Sequence, residues 1–160
     1  MTIGIGSPIQ KPMDKPFFSI FLADEGQTLA FAARLGEQAL AGDFLALHGP
    51  LGSGKTTFAR GYIQAFCGAA LDVPSPTFTL VQIYSSGKLT QPALDFSILI
   101  FIGSKNAEEV WELGWEDITA GVALVEWADH GGPYLPANRL ELRLIPHDNG
   151  RWLQSECARE

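Results

Sequence analysis

The segment Gly49-Pro50-Leu51-Gly52-Ser53-Gly54-Lys55-Thr56 constrains the fold more tightly than any other part of this 160-residue chain. It fits G-x-x-x-x-G-K-[ST] at every required position. A short apolar run, Phe44–His48, precedes it, and a helical stretch follows from about Lys55 to Phe66, with Gly68 placed to end it. The spacing has a chemical reason. Glycines let backbone N–H groups turn inward around phosphate oxygens without Cβ clashes. A helix starting at Lys55 points the positive end of its dipole at the same anion. Lys55 supplies a mobile charge for β- and γ-phosphates, and the Thr56 hydroxyl is the expected Mg²⁺ ligand. A glycine-rich turn that merely caps a helix would explain the glycines but not the adjacent Lys-Thr pair.

The rest of the chain supplies the matching elements. Phe17–Leu22 is an apolar run of strand length, and Asp24, with Gln27 three residues on, marks a capped helix start. Leu29, Ala32, Ala33, Leu35, Ala39 and Leu40 give that helix an apolar face, which Ala41-Gly42-Asp43 ends. Phe78–Tyr84 reads as a strand, Ser85-Ser86-Gly87 as a hairpin turn, Ala107–Leu113 as a short helix, and Leu140–Ile145 as a half-exposed strand. The expected fold is therefore α/β, a P-loop NTPase-like three-layer arrangement whose central sheet is mixed and partly antiparallel. Residues 1–16, with three prolines, read as a flexible arm; 17–146 form the domain, and 147–160 a C-terminal tail whose last ten residues look frayed.

Val122-Ala123-Leu124-Val125 is a buried strand that ends in Glu126, a position from which a carboxylate can hold the metal or its water. An ordinary strand-end acid facing solvent is the alternative. Thr77, in Pro74-Ser75-Pro76-Thr77-Phe78, lies on a proline-stiffened loop and could sense a γ-phosphate, or could only cap its own backbone. His48 reads as a strand-end residue without chemistry, and Cys67 as core.

Composition narrows the function classes. Eleven Lys and Arg against 18 Asp and Glu leave a net charge of −7, which repels phosphate backbones and argues against nucleic acid as a main partner bound by this chain alone. Two distant cysteines, Cys67 and Cys157, argue against a disulfide framework or zinc site and suit a reducing compartment. No apolar run spans a membrane and no secretory signal is visible, so a cytoplasmic domain is expected.

Four blocks, taken in order, resemble one family. They are Gly49–Gly61, Ser75-Pro76-Thr77-Phe78-Thr79-Leu80-Val81, Glu108-Glu109-Val110-Trp111-Glu112-Leu113-Gly114 and Leu124-Val125-Glu126-Trp127. Together, over about Thr28 to Ile145, they resemble the TsaE (YjeE) family, bacterial ATPases of tRNA threonylcarbamoyladenosine synthesis. The resemblance implies an ATP- and Mg²⁺-dependent protein that docks on the TsaB–TsaD pair and meets tRNA only indirectly. It implies catalytic roles for Lys55, Thr77 and Glu126. Leu51, Gly52, Ser53, Gly54, Lys55, Thr56 and Thr57 would hold the nucleotide, Thr28 would lie near the base, and Thr56 and Glu126 would hold the metal.

One departure stands out. Between the second and last blocks the family carries H-x-D-x-Y-R, whose Asp contributes to hydrolysis; this chain reads Ser97-Ile98-Leu99-Ile100-Phe101-Ile102-Gly103 there. Asp95, the nearest carboxylate, stands thirteen positions before Glu108, beyond the family's separation. Those seven residues permit the codons TCC ATT TTG ATC TTT ATC GGN. Read from the third base, they encode His-Phe-Asp-Leu-Tyr-Arg. The hypothesis is a local frameshift, with the frame restored by Ser104; resequencing tests it, and codons outside this set reject it. For the chain as written, the alternative is a nucleotide-binding module with little turnover. A small-molecule kinase is a more distant alternative, because no arginine-rich lid or basic cluster is present.

Overall fold

The computed structural model describes residues 18–68, 72–73, 82–85, 95–98, 120–126 and 135–158. The first strand, β1 (Phe18–Leu22), leads into helix α1 (Glu25–Glu37). The expected cap is present: the Asp24 carboxylate accepts the Gln27 N–H at 2.8 Å, while the Gln27 side chain reaches back to the Ala23 N–H at 2.9 Å. The helix stops at Glu37, before the predicted end of its apolar face, and Leu40 is 60% exposed. The chain is turned there by Asp43, whose carboxylate accepts the Leu40 N–H at 2.8 Å.

Strand β2 (Phe44–His48) is buried over its whole length and passes through the glycine loop into α2 (Lys55–Cys67), which Gly68 ends in the left-handed conformation. Strands β3 (Gln82–Ser85) and β4 (Asp95–Ile98) form an antiparallel pair of their own, outside the main sheet. The turn expected at Ser85-Ser86-Gly87 runs into residues outside the described ones. Strands β5 (Ala123–Glu126), β6 (Arg139–His147) and β7 (Gly150–Ala158) complete the fold.

The main sheet has the order β1-β7-β6-β2-β5. Strands β6, β2 and β5 are parallel, and β7 is antiparallel to both β6 and β1. The sheet is thus mixed, as expected, but the antiparallel part comes from the C-terminal hairpin. That corrects the fraying expected of the last ten residues, most of which lie in β7. Asp148 takes a φ of 50° at the turn, and Gly150 turns the chain back into a strand whose Leu153 is fully buried.

Alternation along the strands builds the core. Leu45, Leu47, Leu124, Leu142, Leu144 and Leu153 share one face and pack with Ala32 of α1 and Phe58, Tyr62, Ile63 and Phe66 of α2. Phe44, Ala46, Ala123 and Val125, on the other face, are buried too, as a sheet covered on both sides requires. The predicted arm, the 107–113 helix and Thr77 lie outside the described residues. Among the described residues no helix is long and apolar enough to cross a membrane.

Candidate nucleotide-binding site

Parallel register brings the candidate residues together. Strands β2 and β5 end at the same edge, and Leu47 pairs with Glu126. Glu126 therefore shares a face with Leu47 and Leu124, the face against which α2 packs. The loop between β2 and α2 begins two residues after Leu47. The carboxylate and the glycine loop thus sit at one end of the sheet because two strands run the same way in that register.

The loop's backbone requires its glycines at two points. Gly49 has a φ of 152°, and a Cβ there would meet the Ser53 Oγ at 2.5 Å and the Leu144 carbonyl at 2.8 Å. Gly54 has a φ of 101° and forms the N-cap of α2, with no side chain capping it. The first N–H groups of a helix lack intrahelical partners, so an uncapped start of this kind suits an anion. Within the loop, the Ser53 N–H donates to the Pro50 carbonyl at 3.1 Å. At its tip Leu51 is 89% exposed, while Ser53 and Lys55 are buried.

Lys55 folds back across the loop: its Nζ donates to the carbonyls of Gly49 and Pro50, the latter at 2.9 Å. Those neutral acceptors hold the ammonium at the loop, on a stem long enough to exchange them for phosphate oxygens. Glu126 is 1% exposed, and its Oε1 has no hydrogen-bond partner. Burial pushes its carboxyl up to about 7, and the Lys55 ammonium works in the opposite direction. A buried carboxylate with an unsatisfied oxygen, within the field of a lysine and beside an uncapped helix start, is a donor set that a divalent cation would complete. Among the described residues no group of three or more His, Cys, Asp or Glu could cage an ion. A single carboxylate here would hold a cation only together with a hydroxyl and ligand oxygens, as Mg²⁺ commonly is held.

The other candidates fall differently. Thr56 and Thr57 start α2, half-buried, beside Lys55. Thr28 is fully buried, and its hydroxyl donates to the Asp24 carbonyl at 3.1 Å within its own helix. Cys67 is a buried free thiol in the core, with its pKa raised by burial. Asp95 begins β4 and is in register with Ser85.

Two features were not legible beforehand. His48 is no bare strand end: its ring pairs with Glu141, which Arg139 also contacts, and these partners hold the Glu141 carboxyl below its usual range against the effect of burial. Arg151 of β7 reaches the loop, its Nη1 donating to the Ser53 carbonyl at 3.3 Å. Nothing local in the sequence marks Arg151. The Asp-Asn-Gly turn that places it was the available signal.

Comparison with known proteins is consistent across sequence and structure. A family model described as threonylcarbamoyl adenosine biosynthesis protein TsaE matches residues 22–153. The chain is 35% identical over 135 residues to the tRNA threonylcarbamoyladenosine biosynthesis protein TsaE of Rickettsia conorii, covering 84% of this chain and 74% of that protein. It is 38% identical over 135 residues to the protein of the same name from Nostoc sp., covering 82% and 80%. The crystal structure of Bacillus subtilis YdiB superposes with a TM-score of 0.70 at 27% identity, over 93% of this chain and 90% of that one.

Proposed function

Because the chain belongs to the TsaE family of tRNA threonylcarbamoyladenosine biosynthesis, we propose that it is an ATP-binding, ATP-hydrolysing protein that supports this modification through the TsaB–TsaD pair. The observation that carries the reading is the juxtaposition at one sheet edge of an uncapped glycine loop, the buried Lys55 ammonium and the buried, unsatisfied Glu126 carboxylate. An uncapped helix start and a buried ammonium suit an anion, the unsatisfied Glu126 oxygen suits a cation, and Mg·ATP has the complementary charges.

The work of the residues follows from their chemistry. The loop amides from Leu51 to Thr57 hold the phosphates and fix their orientation. Lys55 exchanges its carbonyl partners for β- and γ-phosphate oxygens and offsets the charge that builds up there as the terminal phosphoryl group leaves. Thr56 and Glu126 would hold a Mg²⁺ ion, which would supply neutralisation of phosphate charge and Lewis-acid polarisation of the γ-phosphoryl group. Thr77 positions or senses that group, and Thr28 stands near the base. The net charge of −7 suits docking on protein before tRNA.

The reading is tested by measuring ATP binding and phosphate release with the full chain, each with and without TsaB–TsaD. Tight ATP binding with phosphate release that responds to the pair supports it. Absence of ATP binding rejects it. The Ser97–Gly103 string favours a second reading, because it lacks the family carboxylate: ATP held with near-zero release in both conditions would make the chain a nucleotide-binding module.

A further inference from the structure

Arg151 stands on the far side of the sheet's carboxyl edge from Glu126, on a strand that a sequence reading leaves as a tail. Its placement is built. Asp148 and Asn149 turn β6 into β7, and Gly150 then passes so close to β1 that a Cβ there would meet the Leu22 carbonyl at 2.5 Å and the Phe21 ring at 2.7 Å. Arg151 pairs in register with Leu22 and Pro146. Leu22 belongs to the core under the helices, so Arg151 points to the same face as α2 and the loop. There the guanidinium lies against the outside of the loop. A Cβ on Gly54 would stand 2.1 Å from its Nη1, and Nη1 donates to the Ser53 carbonyl at 3.3 Å. Its Nε is buried without a hydrogen-bond partner, so the side chain has given up solvation at Nε to lie there.

The Ser53 carbonyl and the Gly54 N–H belong to one planar trans peptide and point in opposite directions. A donor that fixes the carbonyl on the β7 side therefore fixes the N–H on the opposite side. We propose that Arg151 is a positioning residue for the nucleotide's polyphosphate: by holding the Ser53 carbonyl outward it presents the Gly54 N–H inward to a phosphate oxygen. A charged donor on that carbonyl also polarises the peptide and strengthens the N–H as a donor. Gly54 serves the same end, because its φ of 101° turns the chain there and its missing side chain leaves room for the guanidinium. The C-terminal hairpin thus completes the phosphate site from behind. The inference rests on the reading of this loop as a nucleotide site.

The test is calorimetric titration of Mg·ADP and Mg·ATP into the full-length wild type, Arg151→Met and Arg151→Lys, with thermal unfolding of each free protein as the check on folding. Arg151→Met keeps an apolar stem but no donor. It is expected to bind both nucleotides about tenfold more weakly, while Arg151→Lys recovers part of the loss and stays about threefold weaker than wild type. Rescue in that order identifies the donor, since loss of packing alone would not follow donor capacity. Arg151→Met binding within twofold of wild type overturns the inference. Equal losses in the two folded variants overturn it also. If Arg151→Met does not fold, Arg151→Lys decides: affinity within twofold of wild type overturns the inference, and a threefold loss sustains it. A wild type that binds neither nucleotide refutes the nucleotide site itself, a result distinct from all of these.

Discussion

Glu126 stands opposite Leu47 in the parallel β2–β5 ladder, which puts a buried carboxylate on the helix-covered face two residues before the glycine loop starts. Replacing it by Gln keeps size and shape and removes one charge from the metal's surroundings. Glu126→Gln is expected to lower phosphate release roughly a hundredfold and to raise the Mg²⁺ requirement, with ATP still bound. Activity that persists at ordinary Mg²⁺ would make Glu126 a structural strand end.

The same residue gives the free protein a pH dependence. Burial raises the Glu126 carboxyl to about 7, against an ordinary value of 4.5. Between those values the folded chain keeps a proton that the unfolded chain has released, so stability falls as pH rises through that window and levels off above it. The loss from this group is on the order of 3 kcal/mol. Denaturant unfolding of the nucleotide-free, metal-free protein at several pH values should show that decline, and Glu126→Gln should flatten it. An identical slope in the two proteins contradicts the assignment.

Close approach of the two helices depends on a glycine. A Cβ on Gly36 of α1 would stand 2.3 Å from the Tyr62 carbonyl oxygen of α2, and backbone cannot swing aside as a side-chain end can. Gly36→Ala is expected to destabilise the protein by about 1–3 kcal/mol despite the better helix propensity of Ala. Unfolding curves for the two proteins measure this; a more stable variant would mean that the helices separate without cost.

The departure from the family motif can be repaired. A chain with Ile98→His, Leu99→Phe, Ile100→Asp, Phe101→Leu, Ile102→Tyr and Gly103→Arg regains the carboxylate that Asp95 is spaced too far away to supply. Higher phosphate release and better solubility are expected, because five consecutive apolar residues suit a strand buried on both faces and not one that presents polar groups to a site. Equal activity in both versions, with activity lost in Asp95→Asn, would make Asp95 the working residue.

What could be read from the sequence was what is encoded locally. Gly49–Thr56, the Asp24 cap and the apolar run ending in Glu126 each carry their instructions within a few residues, and each is found where expected. The C-terminal hairpin was missed. Trp152 and Leu153 are adjacent bulky apolar residues on opposite faces, which blurs the alternation of a strand, and the turn before them relies on Asp148 at a positive φ. The place of Arg151 at the loop was beyond any local reading. It depends on β7 lying between β1 and β6, a matter of strand order that residues far apart in the chain decide together.

The central claim is that the loop around Lys55 is the nucleotide site, and its most direct test is Mg·ATP affinity and phosphate release of the wild type beside Lys55→Ala. Removing Lys55 takes away the ammonium that now rests on the Gly49 and Pro50 carbonyls and that the phosphates would recruit. The account predicts ATP binding by the wild type, at least tenfold weaker binding by Lys55→Ala and no detectable release from the variant. Unchanged affinity and turnover in a folded Lys55→Ala would contradict it.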